Sequence, residues 1–256
     1  MTISPADLIA GMAKGMAVLE SFDTQRQRLN ATLAAERAGL TRAAARRHLL
    51  TLAHLGYLET DGSHFWLSSK VLRFSGSYLA SARLPRVVQP ALDHLAALTS
   101  QACSVVVLDG REVVIVARSG HPGTAGRVTA YGLHLGARLP AHATSTGHVL
   151  LAALPRDALA AWLDGAILSR LTLHTPTRAP ALRRALAQAR RQDWSLASEL
   201  HEIGVHALAV PLRDAQGRTV AALNAVAAGA PDDLDRWRER LLPRLASAAR
   251  DLRGLL

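Results

Sequence analysis

Cysteine is nearly absent from this 256-residue chain: Cys103 is its only example. An internal disulfide and any zinc site built on cysteines are therefore excluded, and Cys103, beside an apolar run, reads as a small inert hydrophobe. Lysine is almost as rare, since only Lys14 and Lys70 occur and the other 28 of the 30 basic residues are arginine. With its crowding of alanine, this points to a GC-rich coding bias that inflates the isoelectric point to about 11.1. No stretch approaches the roughly 18 uninterrupted apolar residues a membrane span needs. A mean hydropathy of +0.12 with 49% apolar residues suits a soluble globular protein. The start Met1-Thr2-Ile3-Ser4-Pro5-Ala6-Asp7 has no basic segment leading into an apolar one, so no signal peptide is expected and a cytoplasmic protein fits best. Internal repeats and low-complexity tracts are also missing.

Eleven histidines invite a metal or catalytic reading. Yet there is no His-x3-His, Glu-flanked pair or Cys/His cluster, and His48 and His54, six apart, do not share a helix face. Ser145 lacks a Gly-x-Ser-x-Gly elbow, and no Asp and His follow it in a recognisable context. Neither a metal, a cofactor nor an enzymatic activity is expected.

What the chain does have is a net charge of +10, which favours a polyanionic partner. The charge alone does not locate a binding face, because residues 1–83 carry +4 and residues 84–256 carry +6. The pattern of residues 29–67 does. A short helix through Ala34, Ala35 and Ala38 ends at Gly39, a residue that takes a left-handed turn without steric cost. Thr41 supplies a side-chain oxygen to cap the next helix. On that helix Ala45, Leu49 and Leu52 fall on the buried side, while Ala43, Arg46, Arg47 and His54 lie opposite. An apolar inner face and a cationic outer one are what a recognition helix needs in the major groove. Three cations alone would as readily be a solvated helix face. Here Gly56–Thr60 and His64–Leu67 follow, flanking Asp61-Gly62-Ser63, a hairpin signal. Helix, helix, recognition helix and hairpin make a winged helix-turn-helix whose DNA surface is Thr41, Arg42, Arg46 and Arg47, with His64 on the wing.

Upstream, Lys14–Phe22 reads as the first helix of this domain, burying Met16, Leu19 and Phe22. Downstream, residues 69–83 carry Val71, Leu72, Phe74, Tyr78 and Leu79 at helical spacing, too apolar for a free linker. They are expected to form a linker helix that packs on something, a second subunit included, with Pro85 forcing a break. The remainder is α/β. A helix over Val87–Gln101 (Val88, Leu92, Leu95, Leu98) precedes a hairpin of Ser104–Leu108 and Val113–Arg118 turning at Asp109-Gly110. Val128–Leu133 is expected as a strand, with Ser119–Arg127 as a mobile loop. Helices are expected over Ser145–Ala153, Pro155–Asp164 and Ala179–Arg191, and strands over Ala207–Leu212 and Val220–Val226. An amphipathic helix over Asp232–Leu255 closes the chain. Together these imply a mostly antiparallel sheet with helices packed on it. The run Ala143-Thr144-Ser145-Thr146-Gly147 places hydroxyls and backbone N–H groups at a helix start, a natural anion seat flanked by Arg138 and His142. A capping role for Ser145 is the alternative, and it would not prevent contact with a ligand.

Several motifs, taken in order, resemble the IclR family of bacterial transcriptional regulators from end to end. They are Lys14-Gly15-Met16-Ala17-Val18-Leu19, Gly39-Leu40-Thr41-Arg42-Ala43, Leu55-Gly56-Tyr57-Leu58 and Leu139-Pro140-Ala141-His142-Ala143-Thr144-Ser145-Thr146-Gly147. Glu199-x-x-Glu202-x-Gly204 and Ala209-Val210-Pro211-Leu212-x-Asp214-x-x-Gly217 continue them. Thr41–Arg47 is most similar to the branch controlling catabolism of aromatic acids. The resemblance implies an α+β chain. A winged helix-turn-helix at 1–68 is joined by a linker helix at 69–84 to a GAF-like α/β effector-binding domain at 85–256. It further implies dimers or tetramers on a pseudo-palindromic operator in double-stranded DNA, and a small organic acid as effector. By position it assigns the pocket to Ser145, Thr146, Ala207 and Asn224. His206, also assigned to the pocket, stands where related sequences carry Arg for carboxylate binding, and His48 where they carry a bulky apolar residue. The alternative is a winged-helix protein whose C-terminal domain only oligomerises.

Overall fold

The computed structural model describes residues 3–4, 6–23, 26–119, 134–228 and 233–256. The chain divides into two compact units, Met1–Ser81 and Ala82–Leu256. In the first, helices α1 (Ala10–Leu19), α2 (Ala31–Ala38) and α3 (Arg42–His54) precede a hairpin of β1 (Leu58–Thr60) and β2 (Phe65–Leu67). A 3-10 turn at Ser69–Val71 then leads into α4 (Leu72–Ser81). Local chemistry sets these boundaries. Asn30 Oδ1 accepts from the N–H groups of Thr32 and Leu33, both at 3.0 Å, to start α2. Gly39 ends α2 at φ 65°, and Thr41 Oγ1 accepts from Ala44 N–H at 3.3 Å to start α3. Ala34 and Ala45, both fully buried, let α2 and α3 approach over a core of Val18, Leu29, Leu49, Leu58 and Phe65. Met16 departs from expectation and is exposed, with Val18 buried in its place. The helix stops at Leu19, so helical spacing does not carry through to Phe22.

The second unit begins with α5 (Arg83–Thr99), and the break before it falls at Ala82 rather than at Pro85. Pro85 occupies the first turn of α5, where its missing N–H would have had no helical acceptor. Val88, Leu92, Leu95 and Thr99 form the buried stripe of α5, and Leu98, turned off that stripe, is exposed. There follow β3 (Ala102–Asp109), β4 (Glu112–Ser119), β5 (Arg138–Pro140), a 3-10 turn at Ala141–Ala143, and helices α6 (Ser145–Ala153), α7 (Arg156–Leu163) and α8 (Ala179–Gln192). Strands β6 (Ser195–Ser198), β7 (Val205–Arg213) and β8 (Thr219–Ala228) precede α9 (Leu234–Leu252). The sequence pattern had not marked β5 or β6 as strands. The expected strand Val128–Leu133 and the expected mobile loop after Ser119 lie outside the described residues.

The six strands form one sheet in the order β5-β4-β3-β8-β7-β6, antiparallel at every described pairing. Successive side chains point to opposite faces of a strand, so each face carries its own core. Leu208, Val210 and Leu212 of β7 pack with Val88 and Leu92 of α5 and Trp237, Leu241 and Leu245 of α9. Ala209 of the same strand packs the other way, among Leu150 and Leu151 of α6 and Leu182 and Leu186 of α8. Leu92, Leu208, Leu241 and Leu245 are fully buried, each contributing roughly 1.5–3 kcal/mol of transfer free energy. This helix–sheet–helix layering is that of a GAF-like domain. It leaves the start of α6 standing over the end of the sheet nearest Ala102 and Val226.

Candidate functional site

Arg42, Arg46 and Arg47 are exposed on α3, and among the described residues their guanidinium groups make no hydrogen bond or ion pair. Thr41 stands at the head of the same helix, its Oγ1 engaged by Ala44 N–H. On the wing, Asp61 Oδ1 accepts from the N–H groups of Ser63 and His64 at 3.0 and 2.8 Å. These bonds, that of His64 first, lower the Asp61 carboxyl to about 2. His64 is thereby fixed at the base of the turn, with Nδ1 2.9 Å from Ser63 Oγ. Beside it the guanidinium of Arg28 lies over the Trp66 ring, 4.2 Å from its centroid, adding a wing cation that the sequence pattern did not mark. Behind the recognition helix, Lys70 Nζ donates to Leu55 O at 2.6 Å, a cation at the negative end of the helix dipole. The surface thus consists of unpaired arginines on a helix held at both ends.

In the second unit a cavity lies between the sheet and α6. Its floor is Ser104 and Val106 of β3, Val113 and Ile115 of β4, Ala207 of β7, and Asn224 and Val226 of β8. Thr144, Ser145 and Thr146 form one wall, while Leu200 and His201 close another. The capping residue of α6 is Thr144, not Ser145: Thr144 Oγ1 accepts from Gly147 N–H at 3.0 Å. Ser145, the first helical residue, is fully buried and its Oγ has no hydrogen-bond partner among the described residues. The N–H groups of Ser145 and Thr146 also lack an acceptor among the described residues. Three donors thus stand unmet at a helix N-terminus, where partial positive charge favours an anion.

The helix start is pinned in place. A Cβ on Gly147 would lie 2.0 Å from Ala141 O, so only glycine lets α6 seat against the preceding turn. His148, buried on α6, has Nε2 2.8 Å from His142 O and Nδ1 3.4 Å from Ser195 Oγ. Burial lowers its pKa, keeping it neutral and making it a donor to His142 O. On the floor, Ser104 Oγ donates to Asn224 Oδ1 at 2.6 Å across the β3–β8 ladder.

Ser145, Thr146, Ala207 and Asn224 are therefore brought together, whereas three other expected residues are not. Arg138 does not line the cavity: it is held by Glu112 at 2.7 Å and Asp109 at 2.8 Å on the β3–β4 hairpin. His142 is buried behind the cavity wall with Nε2 3.0 Å from Ser169 O. His206 is one residue from Ala207, so strand alternation turns it to the opposite face of the sheet. There its Nδ1 lies 2.9 Å from Ser198 Oγ and its Nε2 has no partner among the described residues. In exchange the cavity gains Ser104 and His201. The pKa of His201 is lowered chiefly by burial and further by His142, against the pull of Glu202. The sequence signal for His201 was its place inside the Glu199-x-x-Glu202-x-Gly204 motif, while nothing marked Ser104 before its register with Asn224 was known. Cys103 is buried in β3, where loss of solvation pushes its thiol up to about 11. Among the described residues no three His, Cys, Asp or Glu side chains gather as metal ligands, and no helix is long and apolar enough to cross a membrane.

Residues 11–62 match the family described as IclR helix-turn-helix domain, and residues 76–253 match Bacterial transcriptional regulator IclR C-terminal. A Pca operon regulatory protein of Acinetobacter baylyi is 52% identical over 250 residues, spanning 98% of this chain and 90% of that protein. The p-hydroxybenzoate hydroxylase transcriptional activator of the same organism is 50% identical over 255 residues, or 99% and 94% of the two chains. Among solved structures, a double mutant of the PobR inducer-binding domain from Acinetobacter in complex with 3-hydroxybenzoic acid is 45% identical. It covers 67% of this chain and 98% of its own, with a TM-score of 0.63.

Proposed function

The chain belongs to the IclR family of bacterial transcriptional regulators, and on that premise we propose that it switches an aromatic-acid catabolic operon in response to a small aromatic carboxylate. As a DNA-binding regulator it meets its operator through α3 and the wing. The reading assigns base contacts to Arg42, Arg46 and Arg47, since arginine matches guanine bidentately at ~1–3 kcal/mol of discrimination per pair. Thr41 and His64 are assigned to the sugar-phosphate backbone. A single winged unit offers few such contacts, so the operator is taken to be pseudo-palindromic and bound by a two-fold dimer or a tetramer. Exposed Leu72, Phe74 and Tyr78 on α4 support this, because they are large apolar side chains left open in their own unit apart from the stacking of Phe74 on Tyr57. In this reading 1–68 binds DNA, 69–84 links and pairs the subunits, and 85–256 senses the effector, all in the cytoplasm and without catalysis.

The observation that carries the effector assignment is the trio of unmet donors at the start of α6: Ser145 Oγ, Ser145 N–H and Thr146 N–H. A carboxylate is an acceptor-only group that satisfies them, and the Val and Ile floor suits an aromatic ring. The bound ligand regulates only in so far as it prefers one arrangement of the paired winged units. Coupling of about 1–3 kcal/mol would change operator binding roughly 5- to 150-fold. A thermal-shift series of benzoates and small aliphatic acids on the full chain tests the assignment. Benzoates are expected to raise the melting temperature of the second unit and aliphatic acids to leave it in place. If no acid shifts it, the C-terminal unit serves oligomerisation instead.

A further inference from the structure

At the end of the sheet away from Ala102 and Val226, where β7 turns into β8, two open grooves adjoin and share Asp193, Pro211 and Arg213. One runs between the strands and the ends of α6 and α8, edged by Arg156, Arg190 and Arg218. The other runs between β7 and α9, edged by Arg250 and Arg253. Asp193 is the one carboxylate lining either groove among the described residues, and Arg213 holds it with bonds of 2.7 and 2.5 Å. Arg218 is likewise engaged by Asp214 at 2.7 Å. The remaining four arginines keep their charge. Arg190 donates to the carbonyls of Ala152 and Leu154 at 2.6 and 2.8 Å, and Arg253 to that of Asp214 at 3.4 Å, bonds that orient a guanidinium without neutralising it. Arg156 and Arg250 are exposed and make no hydrogen bond or ion pair among the described residues. Between these cations the surface is apolar, with Val107, Leu108 and Val220 in one groove and Leu242 and Ala246 in the other.

A second copy of this chain is a poor occupant, because it brings the same arginines and a net charge of +10. A DNA duplex would meet the guanidinium groups with phosphates but has no apolar side chains for the grooves. A protein segment with Asp or Glu on one side and large apolar residues on the other satisfies both features. Its carboxylates pair bidentately with arginine, and its apolar face lies in the groove as an amphipathic helix does. We propose that the paired grooves dock an acidic amphipathic segment of another protein. The effector cavity, at the other end of the sheet, stays open when they are filled, and a protein partner is added to DNA and effector.

Fluorescence anisotropy on the full chain tests this with three labelled probes. They are a synthetic amphipathic helix of Glu with Leu and Phe at helical spacing, an equally charged peptide with Ser in place of Leu and Phe, and a duplex of non-operator DNA. The amphipathic peptide is expected to bind at least roughly tenfold more tightly than its Ser counterpart. The double variant Arg156→Glu/Arg250→Glu is expected to weaken it at least roughly tenfold, and Arg156→Gln/Arg250→Gln to weaken it less. Neither residue is bonded in the fold, so both variants should keep the wild-type melting temperature; if the Glu variant does not, the Gln variant carries the test through its own loss of affinity. No binding of the amphipathic peptide, equal binding of the two peptides, or full affinity in the Gln and Glu variants would each overturn the proposal. Loss of duplex binding in the variants with peptide binding intact would assign the face to DNA instead. Smaller assemblies of the variants in light scattering, again with peptide binding intact, would assign it to a second copy.

Discussion

Removing the Ser145 hydroxyl should move stability and affinity in opposite directions. Without ligand, Ser145 Oγ is sealed from water and lacks a protein partner among the described residues. A buried polar group left unsatisfied costs about 1–3 kcal/mol. Ser145→Ala removes that cost and leaves only a small void, so ligand-free stability should rise by about 1–2 kcal/mol. For a unit the size of Ala82–Leu256, each kcal/mol corresponds to a midpoint increase of about 2–4 °C. With the effector bound the same hydroxyl donates to a carboxylate, a charge-assisted bond worth about 1.5–3 kcal/mol. Its loss should weaken binding roughly 10- to 150-fold. Urea denaturation without ligand, followed by tryptophan fluorescence, gives the first quantity, and calorimetry with 4-hydroxybenzoate gives the second. A variant that is less stable without ligand yet binds with full affinity would refute the argument, because the hydroxyl would then be a packing element and not a waiting donor.

Gly147→Ala forces its new methyl to within 2.0 Å of Ala141 O. Displacing the helix start and losing the Thr144 cap should cost about 2–4 kcal/mol, seen as an earlier unfolding transition of the second unit and loss of effector binding. Arg46→Ala and Arg47→Ala should weaken operator binding in mobility-shift assays, and wild-type affinity should fall steeply with salt; operator affinity unchanged in both would remove α3 from the interface. Phe74→Asp places charge on the exposed face of α4, and light scattering should then report smaller assemblies than wild type. Asp61 is held at about 2 against an ordinary 3.8 by bonds from the wing turn. Its ionised form therefore supports the turn fully above about pH 4, and that support fades as pH falls through about 2. Chemical-shift titration of the Ser63 and His64 amides should reproduce that midpoint.

Where a local signal and a packing signal coincide, the sequence was legible. Gly39, the Thr41 cap and the Ala45-Leu49-Leu52 stripe all demand the same helix-turn-helix, and the structure has it. Ser145–Ala153 and the β3–β4 hairpin were equally plain. What escaped depends on register or on neighbours distant in sequence. The run Val205–Arg213 reads Val-His-Ala-Leu-Ala-Val-Pro-Leu-Arg, too uniformly apolar to reveal which face is which. His206 was thus grouped with Ala207, although the two point apart. Strands β5 and β6 have three and four residues, too short for an alternation to show. Arg138 looked like an anion-binding cation because Asp109 and Glu112, which neutralise it, lie 26 and more positions away. The capping role passed from Ser145 to Thr144 by one residue, a shift no propensity resolves.

The sheet floor beneath α6 bears on how readily new chemical sensors arise. Its side chains come singly or in pairs from β3, β4, β7 and β8, held by ladder hydrogen bonds that run backbone to backbone. Exchanging Val113, Ile115 or Ala207 recuts one corner of the cavity while the strands beneath keep their register. The recognition helix, in the other compact unit, is untouched by such changes. Selectivity for a different ring substituent is therefore within reach of a few independent point mutations. A library confined to these positions, screened through an unchanged operator and reporter gene, is a rational starting point for biosensors of other aromatic acids.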